Sequence, residues 1–96
     1  MSLIRTVLQA PSFRKKVKKL HPVQKQDLDQ AIRRLMQSPE LGEQKKGDLR
    51  FLRVYKFKIA GQEALLGYAY QEEQLVLNLL ALGVHENFYR DIKRGS

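Results

Sequence analysis

The sequence predicts an α+β domain of order β-α-α-β-β-β-α, in which an antiparallel sheet carries a helical hairpin packed on one face. Three observations predict it. Two adjacent stretches, 12–20 and 22–37, repeat apolar residues at helical spacing and are divided by His21-Pro22. From Leu49 the apolar period changes from 3.6 to two. Turn signals at Gly61-Gln62 and at Gln71-Glu72-Glu73 then cut the remainder into lengths that suit a meander.

The elements follow in order. Residues 3–8, Leu-Ile-Arg-Thr-Val-Leu, are rich in branched side chains and stop before Pro11-Ser12, which reads as a short first strand. Ser12 is a suitable N-cap for a helix carrying Phe13, Val17 and Leu20 on one side and Arg14, Lys15, Lys16, Lys18 and Lys19 elsewhere. His21 is driven out of the α region by Pro22, and Pro22 suits the first turn of the next helix. There Leu28, Ala31, Ile32, Leu35 and Met36 form an i, i+3, i+4, i+7, i+8 stripe, and Ser38-Pro39 closes it. Residues 40–48 hold two glycines and five charges without a period, so they read as an exposed loop. In the next strand Phe51, Arg53, Tyr55, Phe57 and Ile59 share one face, and Arg50, Leu52, Val54, Lys56 and Lys58 share the other. Ala64 to Tyr70 and Leu75 to Leu82 make the remaining strands. Gly83 breaks the last one, and 86–94 form a short helix with Phe88 and Ile92 inward.

The chain has 96 residues, 43% of them apolar, which suits one domain over 1–96 with one core and excludes a charge-dominated disordered chain. Its longest apolar stretch, 75–84, is interrupted by Asn78 and Gly83 and falls short of the roughly 20 residues of a membrane span. No secretory leader is visible, because Arg5 interrupts the N-terminus before an apolar run forms. A cytoplasmic protein is therefore expected. Without cysteine there is no disulfide framework or thiolate metal site, and the glycine spacing matches no nucleotide-binding loop, so no cofactor and no metal are expected.

Charge is the informative quantity. The net charge is +8, and it is uneven: residues 1–59 hold 15 basic and 5 acidic residues, whereas 60–96 hold 3 and 5. Such a surface attracts a polyanion, whether nucleic acid, an anionic membrane or an acidic protein. Lys56 and Lys58 stand two apart on a strand, so both ammonium groups leave one face of the sheet, a spacing that can grip a phosphodiester. Alternating lysines also suit an edge strand protected from aggregation. His85 falls just after a strand and Tyr89 four residues later, at the spacing of one helical turn, which equips the pair for proton transfer or, equally, for capping and core packing.

The element order, the Tyr55-Lys56-Phe57-Lys58-Ile59 strand and the closing 82–90 segment, Leu-Gly-Val-His-Glu-Asn-Phe-Tyr-Arg, together resemble the RelE/ParE superfamily of toxins from bacterial type II toxin–antitoxin modules. The likeness spans nearly the whole chain. It implies a ribosome-dependent mRNA endoribonuclease, an mRNA interferase that inhibits translation without a metal. Lys56 and Lys58 fall on the RelE-type Tyr-Lys-x-Lys pattern. The Gly-x-His ending followed by an aromatic is similar to the YafQ and HigB branches and maps a cutting role onto His85 and Tyr89. RelE carries one arginine on the strand after the turn and another just past the glycine, whereas this chain has Glu63-Ala64 and His85 there. The resemblance further implies RNA-docking roles for Arg14, Lys15, Lys18, Lys19, Lys45 and Lys46, and a cognate antitoxin, the ribosome and mRNA as partners. The ParE branch implies the alternative, inhibition of DNA gyrase without nuclease chemistry.

Overall fold

The structure is a computed structural model and describes residues 4–71 and 76–83. Five strands form one sheet and two helices cover one face of it. In chain order the elements are β1 (Thr6–Gln9), α1 (Pro11–Lys18), α2 (Pro22–Gln37), β2 (Glu43–Gln44), β3 (Arg53–Ile59), β4 (Gln62–Gln71) and β5 (Val76–Gly83), and the sheet order is β1-β5-β4-β3-β2. The expected C-terminal helix over 86–94 lies outside the described residues, as do 72–75 between β4 and β5. No helix among the described residues is long and apolar enough to cross a membrane.

Helix boundaries follow local chemistry. Pro11 and Pro22 each open a helix, where a missing N–H costs nothing and φ is already helical. Ser12 is therefore inside α1, not its cap. Ala10 takes the cap position because proline already occupies the first helical residue. At the start of α2 the His21 backbone N–H donates to Gln24 Oε1 at 2.8 Å, half of a capping box. The α2 stripe packs as its period demands, with Leu28, Ala31 and Leu35 buried, and Leu28 and Leu35 join Phe13 of α1 and Ile59, Leu66, Tyr68, Leu77 and Leu79 of the sheet in one core.

β3, β4 and β5 form the expected antiparallel meander. β1 departs from the all-antiparallel expectation. It pairs parallel to β5, Thr6 opposite Val76 and Gln9 opposite Leu79, so the sheet is mixed. Two further expectations change. The 40–48 segment is not a bare loop, because Glu43 and Gln44 pair with Val54 and Arg53. Strand β3 begins at Arg53, four residues after Leu49, because Gly47–Leu49 is a 3₁₀ turn that delivers Leu52 into the core. Gly83 does not break β5 early; it still pairs with Leu65.

The β3–β4 hairpin turns on Ala60-Gly61, one residue earlier than the expected Gly61-Gln62, with φ of +49° and +83°. Two positive φ values are the signature of a type I′ turn, whose twist matches the flanking strands. Gly61 adopts this freely, whereas Ala60 places a Cβ in the left-handed region. Ala60 N–H is held by Asp27 Oδ2 of α2 at 2.7 Å, which ties the hairpin to the helix. Ala60→Asn, creating the favoured Asn-Gly pair, is expected to raise stability by about 0.5–1 kcal/mol. The urea midpoint measures this, with an unchanged slope showing that only the turn was relieved.

Candidate RNA-binding face

The side of the sheet away from the helices carries the candidate chemistry. Along β3 the faces alternate. Tyr55, Phe57 and Ile59 pack into the helix-side core, and Val54 joins Leu52, Leu65 and Ala81 in a second small cluster beneath the other face. Lys56 and Lys58 continue the Val54 side and are exposed, so the expectation of a shared face holds. Lys58 also flanks a shallow groove between α2 and β3, beside Asp27, Arg34 and the stacked rings of Tyr55 and Phe57, whose centroids are 6.1 Å apart.

Register fixes what stands beside Lys56. Lys56 pairs with Leu65 of β4, and Leu65 pairs with Gly83 of β5. The three residues form one line across the sheet, and two strand spacings put Gly83 roughly 10 Å from Lys56. His85 and Tyr89 themselves lie outside the described residues. Lys16 fastens this end of β5: its Nζ donates to the Leu82 carbonyl at 2.8 Å. In the sequence Lys16 is one of five similar cations in the 14–19 stretch, and nothing local singles it out.

On the other side, β2 brings a wall to the same face. Glu43 is directly opposite Val54 and hence on the Lys56 side, and Lys45 Nζ reaches Glu43 Oε1 at 3.0 Å. Lys45, Lys56 and Glu43 line a half-open depression of about 360 Å³ floored by Val54 and Leu65 and edged by Leu41. The Lys45 ammonium, through its hydrogen bond and its charge, holds the Glu43 carboxyl below its ordinary range, and Lys56 and Lys46 add to the effect. Glu43 was not legible as a site residue because a two-residue strand has no period.

The β2 segment is itself anchored from within. Tyr68 is fully buried; its hydroxyl accepts from Gly42 N–H at 2.9 Å and donates to the Pro39 carbonyl. Arg53 Nη1 donates to the carbonyls of Gly42 at 2.9 Å and Glu40 at 3.3 Å. Burial pushes the Tyr68 phenol above its usual range, against a smaller opposing effect of the Gly42 N–H.

The expected docking cations divide between two places. Lys45 stands beside Lys56, and exposed Lys46 adjoins it. Arg14, Lys15, Lys18 and Lys19 belong to α1 and its C-terminal end, and Phe13 of this helix packs into the helix-side core, so they lie across the sheet from Lys56 and Lys58. Among the described residues no group of three histidine, aspartate or glutamate side chains converges as a metal site would.

Residues 7–93 match the family model described as a ParE-like toxin of type II bacterial toxin–antitoxin systems. Solved structures from E. coli share the fold. An arginine double mutant of the toxin RelE in the free state aligns over 100% of both chains at TM-score 0.70 and 19% identity. The same mutant in complex with an antitoxin RelB peptide aligns over 96% of this chain and 95% of that one, at TM-score 0.67 and 18% identity. The intact RelBE toxin–antitoxin complex contains a chain that aligns over 81% of this chain and 93% of its own length, at TM-score 0.65 and 19% identity. No curated protein sequence matches.

Proposed function

The chain belongs to the ParE-like toxins of type II bacterial toxin–antitoxin systems, and from that premise we propose that it is a ribosome-dependent mRNA endoribonuclease that arrests translation. The observation that carries this reading is the line Lys56, Leu65, Gly83 across the sheet. It starts the Gly83-Val84-His85 segment two strands from the lysine pair. In the proposed reaction the mRNA 2′-hydroxyl attacks the adjacent phosphorus and His85 or Tyr89 takes its proton. Lys56 and Lys58 neutralise the charge that builds on the phosphorane, and the other member of the His85 and Tyr89 pair gives its proton to the leaving 5′-oxygen as the bond to phosphorus breaks. The α1 cations and Lys46 hold ribosomal RNA by charge alone. The whole chain acts as one cytoplasmic domain, silenced by a cognate antitoxin, as the RelB complexes with RelE suggest by analogy.

A second reading has its own support. The matching family model carries the ParE name, which favours a gyrase-binding inhibitor without nuclease chemistry. Brief expression in bacteria followed by mapping of mRNA ends separates the two. Cuts within translated frames are expected; intact mRNA with a DNA-damage response would instead establish the gyrase reading. Within the nuclease reading, His85→Gln keeps size and hydrogen bonding but loses titration, so single-turnover cleavage on programmed ribosomes should fall by roughly 100-fold or more. Ribosome pelleting should barely change. Near wild-type cleavage would take His85 out of the mechanism.

A further inference from the structure

The depression between β2 and β3 holds a contradiction that a phosphate site alone does not explain. Its two ammonium groups, on Lys45 and Lys56, suit an RNA backbone, yet Glu43 lines it beside them on the same face. An ionised carboxylate only accepts hydrogen bonds and repels phosphate oxygens. Its lysine neighbours favour the ionised form. What it can receive from a nucleotide is an N–H or O–H donor. Val54 and Leu65 beneath it are almost wholly buried, and the exposed side of Leu41 at its edge is the apolar surface left to meet the face of a base. The volume, about 360 Å³, falls within the roughly 300–1,000 Å³ range of ligand sites.

We propose that this depression seats one unpaired RNA base, with Lys56 and Lys45 on its backbone phosphate and Glu43 accepting from the base's amino edge. The inference rests on the RNA reading given above and extends it to base selection. Guanine offers a carboxylate an imino and an amino donor side by side, and adenine and cytosine offer an exocyclic amino group. Uracil offers a single N–H flanked by two carbonyl oxygens, which a carboxylate repels. Glu43 therefore disfavours uracil at this position.

The test is fluorescence-anisotropy titration at low salt of the purified chain with 2′-O-methyl hexauridylate and with the same oligomer carrying one guanosine, adenosine or cytidine. The amino-bearing oligomers are expected to bind roughly 10-fold more tightly than the all-uridine one. Glu43→Gln presents an amide that both donates and accepts, so the preference should shrink to about 2-fold or less, an expectation set by the pairing capacity of the two side chains. Equal binding of all four oligomers by the wild type would overturn the proposal and leave RNA binding standing. So would a Glu43→Gln protein that binds all four more tightly by one common factor, since Glu43 would then only temper the charge of its lysines. Failure to bind any oligomer would reject the RNA reading, and this assignment with it.

Discussion

Replacing Lys56 and Lys58 together by alanine is expected to abolish growth inhibition on induction while leaving the protein folded. Both side chains are exposed on β3, on the Val54 side of the strand, so their removal costs about 0.5 kcal/mol or less each. The double substitution takes two positive charges from the region where a phosphodiester would be held. In titrations of single-stranded RNA the salt slope should drop by roughly 0.7 for each phosphate no longer neutralised. Plating efficiency, the thermal midpoint and the slope are the three measurements. A soluble, folded double mutant of undiminished toxicity would return both lysines to the role of a protected strand edge.

Gly42→Ala is expected to be the most damaging small substitution in the described chain. A Cβ at this position would lie 2.6 Å from Tyr68 Oη and 2.7 Å from its Cε1. The ring cannot retreat, because it is fully buried and its hydroxyl is engaged with both Gly42 and Pro39. The overpacking and the buried hydrogen bonds it breaks should together cost roughly 2–4 kcal/mol. For a domain of this size that lowers the Tm by roughly 10–25 °C. Gly47→Ala is the informative comparison. It has φ +65° and nothing within 4 Å of the added carbon, so it should lose only about 1 kcal/mol, all of it from backbone strain. A Gly42→Ala protein as stable as the wild type would show that β2 can shift without loss.

The same tyrosine gives the fold an alkaline limit. Burial raises its folded-state pKa, so the native chain keeps a proton that the unfolded chain releases near pH 10. This contribution is complete below pH 10 and is lost as pH rises through the folded value. Tyr68→Phe should flatten that decline in an alkaline series of urea midpoints, although it starts lower because Gly42 N–H and the Pro39 carbonyl lose their partner.

What the sequence disclosed and what it withheld have separate physical causes. Leu28, Ala31 and Leu35, the Pro22 boundary and the two faces of 53–59 were legible because each is set by local geometry repeated over several residues. The parallel pairing of β1 was not, since the alternation within one strand says nothing of the direction of its neighbour. The bulge that steps the register between Gly67 and Tyr68 was hidden for the same reason. At the candidate site, Lys56 and Lys58 were visible through alternation. Glu43 came to the face only through a pairing of two residues, and the hold of Lys16 on Leu82 spans 66 positions of sequence.

The place of β5 in the sheet bears on when the fold can be completed. Of the described strands it is the last to be synthesised, yet it stands between β1 and β4, and its Leu77 and Leu79 are completely buried. Until residue 83 has left the exit tunnel, β1 has no partner strand and the helical hairpin has only part of its sheet to cover. Contacts of such long sequence separation form late and all together. A translation product cut short before β5 thus lacks the strand that joins β1 to the rest of the sheet and cannot complete the fold.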